Sequence, residues 1–285
     1  MSYHNFMKPC ISEAVTLSRT FAEDVNGYAD GGCHALEVWL TKLEKHLETH
    51  SVADTRKLLE DRAMTLAAAS YQGGLLLSQG EQRKAHYGHF KRRLDLCQIF
   101  GISTLLIAAD PPLHADAHGG NKGGMDATGL QRAIVSLAQA AQWAAAFGVR
   151  LALEFRATSS FCTSLDTALA LIAQCGEANL GVNLDVFHYY TGPSKFEDLT
   201  LLSPQNLAFV QLSDVIGIPR ELAGDGDRIL PGEGDFQLKP IVEHLRTIGY
   251  DGWVSLELFN AMLWQLKPAQ VAELGLASLE RLLRP

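Results

Sequence analysis

Four apolar segments of the chain end in side chains that could bind a metal ion. Glu154 closes the run LALE, Asp185 closes GVNLD and Glu257 closes WVSLE, while FVQLSD carries both Gln211 and Asp214. Charged groups that end apolar strands are costly to bury unless they are paired or ligate a metal. Carboxylates that faced each other without a cation would repel, and one of them would take up a proton. We therefore expect these oxygen donors to share one divalent ion.

The spacing of these residues indicates the elements that carry them. The first three donors follow one another at roughly the length of one strand-plus-helix unit, and the last adds a long loop. Strand-like apolar runs alternate with helical patterns along the whole chain. Eight such runs are predicted as strands: Cys10–Leu17, His34–Trp39, Thr65–Ser70, Thr104–Ala108, Arg150–Glu154, Leu180–Asp185, Leu207–Leu212 and Gly252–Glu257.

This alternation predicts an α/β fold. Eight strand-helix units are the number in a (β/α)8 barrel, which commonly spans about 250 residues as one domain. A doubly wound open sheet has the same element order, but no Gly-x-Gly-x-x-Gly follows the first strand. We therefore predict a single-domain (β/α)8 TIM barrel over residues 1–285, with chemistry at the carboxyl ends of its strands. Two long Gly- and charge-rich loops, at 110–127 and 215–236, fall at that end.

Composition excludes several classes of function. The chain has 285 residues and a net charge of −8, which argues against a nucleic-acid partner because such proteins need a basic surface. The N-terminus has no secretory apolar segment and no run approaches the length of a membrane span, so no membrane partner is expected. Five cysteines without a CxxC pair are typical of reduced thiols in a cytoplasmic protein. The expected partner is a small-molecule substrate.

Five motifs in order carry a family resemblance: LALEF, NLDVFH, VQLSD, ILPGEGDF and GYDGWVSLE. Together they resemble the xylose-isomerase-like TIM barrel superfamily, which holds sugar isomerases and epimerases, inosose and dehydroshikimate dehydratases, and the endonuclease IV type. The resemblance implies that one divalent metal is bound by Glu154, Asp185, Gln211 and Glu257. Gln211 departs from the pattern, since many members have His there. An all-oxygen site favours Mg²⁺ or Mn²⁺, with Co²⁺ or Zn²⁺ as the alternatives.

The resemblance also implies roles for the acidic residues. In an isomerase or epimerase acting on a sugar or polyol ketone, Glu154 and Glu257 would transfer protons on either face of the substrate while the metal stabilises an enediolate. His188, three residues after Asp185, would lie near the metal or touch the substrate and is predicted to be catalytic. Glu37 resembles the acidic residue on the family's second strand, with a role beside the metal ligands or on the substrate.

Three arginines are candidates for substrate binding. Arg156, Arg220 and Arg228 could each anchor an anionic or polyhydroxyl substrate, and each could equally neutralise a neighbouring carboxylate.

Alternatives to an isomerase stay open at this point. A dehydratase of a cyclic hydroxyketone, such as 3-dehydroshikimate or inosose, begins with the same proton abstraction. Gln211 favours that reading because some dehydroshikimate dehydratases carry Gln there, whereas Arg156 opposes it because they often have His at that position. The acidic charge disfavours an endonuclease, and a barrel that only binds a ligand remains possible. The resemblance further implies a homo-oligomer.

Overall fold

The computed structural model describes residues 7–109 and 127–284, and in these ranges eight parallel strands close into one barrel. Each strand pairs with the next along the chain, and the last pairs with the first. The prediction of a (β/α)8 TIM barrel is confirmed. The strands are β1 (Lys8–Ser12), β2 (Ala35–Trp39), β3 (Thr65–Gln72), β4 (Thr104–Ala108), β5 (Arg150–Glu154), β6 (Leu180–Asp185), β7 (Leu207–Leu212) and β8 (Trp253–Leu256).

Helices cover the outside of the barrel and follow the strands in turn. Their apolar faces join the outer faces of the strands in one large buried core. The helices of the described ranges are α1 (Phe21–Asp30), α2 (Leu40–Leu47), α3 (Val52–Asp61), α4 (Gly80–Phe100), α5 (Ala127–Ala146), α6 (Leu165–Cys175), α7 (Val186–Thr191), α8 (Leu238–Thr247) and α9 (Pro268–Leu283).

Local chemistry explains where the predicted boundaries hold and where they shift. Gly101 and Gly176 end α4 and α6 with φ of 69° and 70°, the left-handed conformation expected for a glycine after a helix. The first strand ends at Ser12, five residues earlier than predicted from the apolar run. There the Ser12 hydroxyl accepts a hydrogen bond from the Ala14 N–H at 3.3 Å and starts a short 3₁₀ turn. The prediction was too long because the buried residues of this turn give it the apolar composition of a strand.

Side chains inside the barrel change from apolar to polar toward the carboxyl ends of the strands. Alanines, leucine, phenylalanine and cysteine form a small buried cluster in the lower barrel, which includes Ala35, Ala152 and Phe209. Alternate residues of a strand point the same way. Two positions further along the same strands lie Glu37, Glu154 and Gln211, all buried. The two-residue alternation of side chains along each strand therefore points these buried polar residues into the barrel, above the apolar cluster.

Two findings bear on the other predictions. No helix among residues 7–109 and 127–284 is long and apolar enough to cross a membrane. The predicted loop at 110–127 lies almost wholly outside the described residues. The loop at 215–236 is described, and its Arg228 contacts Asp185 and Glu257 at the carboxyl ends of the strands.

Candidate active site

Glu154, Asp185 and His188 form one cluster at the carboxyl ends of β5 and β6. One potential ligand atom from each lies within 4.8 Å of the others, and all three side chains are buried. Asp185 ends its strand and caps α7, because its Oδ1 accepts a hydrogen bond from the Phe187 N–H at 2.9 Å. The cap turns the chain so that His188 Nε2 comes to 3.7 Å from Asp185 Oδ2. One oxygen of Asp185 thus shapes the backbone while the other faces the cluster.

Arg228 joins this cluster to Glu257. Its Nη1 lies 3.0 Å from Asp185 Oδ2 and 3.1 Å from Glu257 Oε2, and its Nη2 lies 2.7 Å from Asp225 Oδ1. The guanidinium is only 1% exposed and sits 4.2 Å from the ring centre of Phe187. Arg228 therefore supplies a fixed positive charge between two of the predicted metal ligands.

Gln211 belongs to a hydrogen-bonded network that crosses the barrel. Its Oε1 accepts from Asn183 Nδ2 at 2.5 Å, and its Nε2 donates to Glu37 Oε1 at 3.0 Å. Glu37 also accepts a hydrogen bond from the hydroxyl of Ser70. These partners fix the orientation of the Gln211 amide, with its oxygen toward Asn183 and its NH₂ group toward Glu37. A carbonyl oxygen has two lone pairs, so Oε1 retains one that Asn183 does not use.

Burial dominates the electrostatics of the site. It raises the pKa of Glu154 to about 8, with a further increase from Asp185 that is opposed by nearby guanidinium groups. Burial also raises the pKa of Glu257 well above its usual range, against the lowering effect of Arg228. The pKa of His188 falls well below its ordinary value, first because of burial and then because of Arg228. This shift favours the neutral imidazole, which carries a lone pair on one of its two ring nitrogens and can offer it to a ligand.

The other predicted arginines and Glu37 occupy different surroundings. Arg156 follows β5 by two residues, and its Nη2 lies 3.8 Å from Asp225 Oδ2. Arg220 is exposed on the loop after β7 and makes no ion pair within the described part of the chain. Glu37 is fully buried in the network beneath the mouth. The structure thus brings Arg156 and Arg228 to the site and leaves Arg220 in solvent.

A cavity of about 300 Å³ opens beside the site, between α4 and the ends of β2 and β3. Trp39 packs against Tyr71 with ring centres 5.4 Å apart and against Phe259 at 5.9 Å. Phe259 in turn lies 5.5 Å from the guanidinium of Arg228. These three rings form an aromatic wall that runs from the lining of the cavity to Arg228. The cavity is lined by Trp39, Thr41, Ser70, Tyr71, Gln72, Gly73, His86, His89 and Arg93.

Comparison with known proteins identifies the family. The sequence profile of the xylose isomerase-like TIM barrel family matches residues 28–282. The chain belongs to this family. Membership confirms the predicted resemblance, and solved structures agree with the fold. The crystal structure of the IolI protein with a bound zinc atom superposes with a TM-score of 0.86 at 21% identity, covering 97% of this chain and 98% of that one.

Curated relatives within the xylose isomerase-like family carry names of two reaction classes. The chain is 25% identical over 267 residues to an inosose isomerase of Bacillus velezensis, with 91% of each protein covered. It is 26% identical over 250 residues to a 3-dehydroshikimate dehydratase of Pseudomonas aeruginosa, covering 86% of this chain but 37% of that relative. These names confirm the prediction of an enzyme, with isomerase and dehydratase as the relevant reactions.

The residues present fit the divalent metal of a xylose isomerase-like site. His188 Nδ1 is buried and has no hydrogen-bond partner among the described residues, whereas Asp185 Oδ2, also buried, is contacted by the Arg228 guanidinium at 3.0 Å. Within the same residues, no hydrogen bond reaches the carboxylate of Glu154. The buried Glu154 carboxylate and the His188 imidazole are therefore donors that a divalent cation would satisfy, next to the Asp185 carboxylate.

Sequence reasoning overlooked one polar residue of the site and misread another. Asn183 orients Gln211 and lies two residues before Asp185, on the same face of β6, which is the signal that could have identified it. Asp214, which the strand-end pattern placed among the donors, instead accepts backbone N–H groups of Val215 and Gly232 and shapes the loop after β7.

Proposed function

We propose that the protein is a divalent-metal-dependent isomerase or epimerase that acts on a sugar or polyol ketone. The observation that carries this proposal is the meeting of Glu154, Asp185 and Glu257 in a buried polar mouth, where Asp185 raises the pKa of both glutamates and Glu154 raises that of Glu257. Buried carboxylates of like charge are stable together when a cation is shared among them. The family and its isomerase-named relatives support the same reading.

Glu154, Asp185, Gln211 and Glu257 would hold the metal, with His188 as a further donor. Gln211 and Glu257 each use one acceptor for the protein and keep another, since Gln211 accepts from Asn183 and Glu257 pairs with Arg228. Asp185 caps α7 with one oxygen, and a metal would share the other with Arg228. Because the four donors are oxygens, we propose Mg²⁺ or Mn²⁺ as the ion. When bound, such an ion would polarise a substrate carbonyl and so make the neighbouring C–H bond more acidic.

Proton transfer falls to Glu154 and Glu257. Their strands, β5 and β8, are separated around the barrel by β6 and β7, so the two carboxylates approach the mouth from different sides. A pKa near 8 allows Glu154 to exist in both protonation states close to neutral pH, as a general acid–base requires. One carboxylate would remove the proton next to the carbonyl and the other would return a proton on the opposite face.

A dehydratase of a cyclic hydroxyketone is the second candidate. Gln211 and the 3-dehydroshikimate dehydratase relative favour it. Both reactions begin when a carboxylate removes the proton beside the ketone, and they differ in whether a β-hydroxyl then leaves. The same three buried carboxylates serve either outcome.

The test is solvent deuterium exchange at the carbon beside the ketone. EDTA-treated protein should be supplied with Mg²⁺ or Mn²⁺ in D₂O, with ketoses, inosose and 3-dehydroshikimate followed by proton NMR and ultraviolet absorbance. Loss of the α-proton signal without new absorbance indicates isomerisation. Dehydration is indicated by a new ultraviolet band, from a conjugated enone when inosose loses water or from an aromatic ring when 3-dehydroshikimate does. Arg220→Gln, which changes an exposed loop residue, is the matched control. Metal-restored protein that exchanges no α-proton in any of these compounds would contradict the proposal.

A further inference from the structure

Arg156 is a guanidinium at the mouth with unused donors. Its side chain makes no hydrogen bond within the described residues, and its Nε is buried without a partner there. The single ion pair that it makes in those ranges, with Asp225, is long at 3.8 Å. A buried donor without a partner is costly, so a half-buried guanidinium in this state is poised to receive one.

The other arginines near the site differ from it. The guanidinium of Arg228 is paired with Asp185, Glu257 and Asp225, and its side chain is 1% exposed. Arg220 is exposed, where water can satisfy it. Arg156 has 26% of its side chain exposed. Electrostatic interaction with Glu154, Tyr71 and Glu257 raises the pKa of its guanidinium. It is therefore the arginine that borders the reacting groups and remains available to a ligand.

We propose that Arg156 binds a carboxylate group of the substrate, so that the natural substrate is an anionic hydroxyketone rather than a neutral polyol ketone. The inference rests on the proposed function, because it assumes that a ketone reacts at the carboxylates of the mouth. A guanidinium and a carboxylate match as two parallel N–H···O bonds. Such a pair would place the ketone of a ring-sized substrate on the side of Glu154.

A carboxylate fits this position better than a phosphate. Arg156 is one cation with Glu154 and Asp225 close by, and Asp225 is already engaged by Arg228. A dianionic phosphate would face this negative field with one guanidinium, whereas a monoanion is balanced by one positive charge. The aromatic wall of Trp39, Tyr71 and Phe259 offers an apolar surface beside it for a ring.

Equilibrium binding of two unreactive probes tests the proposal. Shikimate carries a ring, hydroxyls and a carboxylate but no ketone, and myo-inositol is a neutral ring polyol. Dissociation constants should be measured by calorimetry on Mg²⁺-loaded wild type, Arg156→Gln, Arg156→Lys and the control Arg220→Gln. A charged hydrogen-bonded pair predicts that Arg156→Gln weakens shikimate binding by about 10- to 100-fold and leaves myo-inositol within about twofold. Arg156→Lys should fall between, and Arg220→Gln should match the wild type.

Other outcomes separate this inference from the proposed function. Shikimate affinity that survives Arg156→Gln would overturn the assignment, as would inorganic phosphate that displaces shikimate at lower concentration than benzoate does. If inosose exchanges its α-proton while shikimate affinity survives Arg156→Gln, the proposed function stands and the anionic substrate falls. Arg156-dependent shikimate binding in a protein that exchanges no ketone proton would leave the anion site standing and remove the proposed reaction. Thermal unfolding of Arg156→Gln should stay close to that of the wild type, since its side chain makes no hydrogen bond within the described residues. Because Arg156 lowers the pKa of Glu154, the Mg²⁺ affinity of each variant is measured separately and shikimate binding is compared at saturating Mg²⁺.

Discussion

Arg228→Met would test whether a fixed cation holds the buried carboxylates together. Methionine keeps much of the length and apolar contact of arginine, including the packing against Phe187, but removes the charge. Asp185 and Glu257 would then lose a partner at 3.0 and 3.1 Å while both remain buried. Removing one member of a buried charged pair costs about 3–5 kcal/mol because the other charge is left without compensation.

The expected change in melting temperature follows from the length of the chain. An unfolding entropy of about 2.1 cal/mol/K per residue gives about 0.6 kcal/mol/K for 285 residues. A loss of about 3–5 kcal/mol should therefore lower the Tm of metal-free protein by about 5–8 °C. Arg220→Met removes the same charge from an exposed site and should change stability by less than about 0.5 kcal/mol.

The deficit of Arg228→Met should also depend on pH. Arg228 lowers the pKa of Glu257, so its loss raises that pKa further above the value in the unfolded chain. A group whose folded pKa is raised contributes stability at low pH that is lost as pH rises through the folded value. The variant should thus lie closer to wild type at pH 5 than at pH 8. Differential scanning calorimetry of EDTA-treated proteins measures both effects, and a variant as stable as the wild type at pH 8 would refute this account of Arg228.

Three further results are expected. Glu154→Gln should lower turnover by at least about 100-fold while the protein stays folded, and near-wild-type turnover would reject its role in proton transfer. Gln211→His should keep one metal per chain but shift preference toward Zn²⁺ or Co²⁺ in competition calorimetry, and an unchanged preference would remove Gln211 from the ligands. Metal binding at pH 7 should release protons, because the pKa of Glu154 is about 8 without the ion, and affinity should rise with pH up to that value. Calorimetry in buffers of different ionisation enthalpy should show a smaller release for Glu154→Gln than for the wild type, and an equal release would remove Glu154 from the ligands.

The strands and the acidic rim were predictable because one physical pattern encodes both. The bounds of β4, β5, β6 and β7 match the predicted runs, since a buried parallel strand is a continuous apolar segment. Carboxylates at the ends of such segments must meet at one face once the barrel closes. For the same reason Glu154 and Asp185 come together in the structure as the spacing indicated.

What the sequence left open depends on long-range geometry. Arg228 lies on a loop, and only the folded chain brings it between Asp185 and Glu257. Composition could not separate it from Arg156 or Arg220, because the difference lies in their partners and exposure. The prediction of a homo-oligomer stays a prediction, since no subunit contact bears on it.

Anomalous diffraction from crystals grown with Mn²⁺ is the most direct measurement of the central claim. The account predicts one strong peak at the mouth, about 2.0–2.4 Å from oxygens of Glu154, Asp185, Gln211 and Glu257. Data with no peak there, or with the ion bound elsewhere while Arg228 alone occupies the space between the carboxylates, would contradict it.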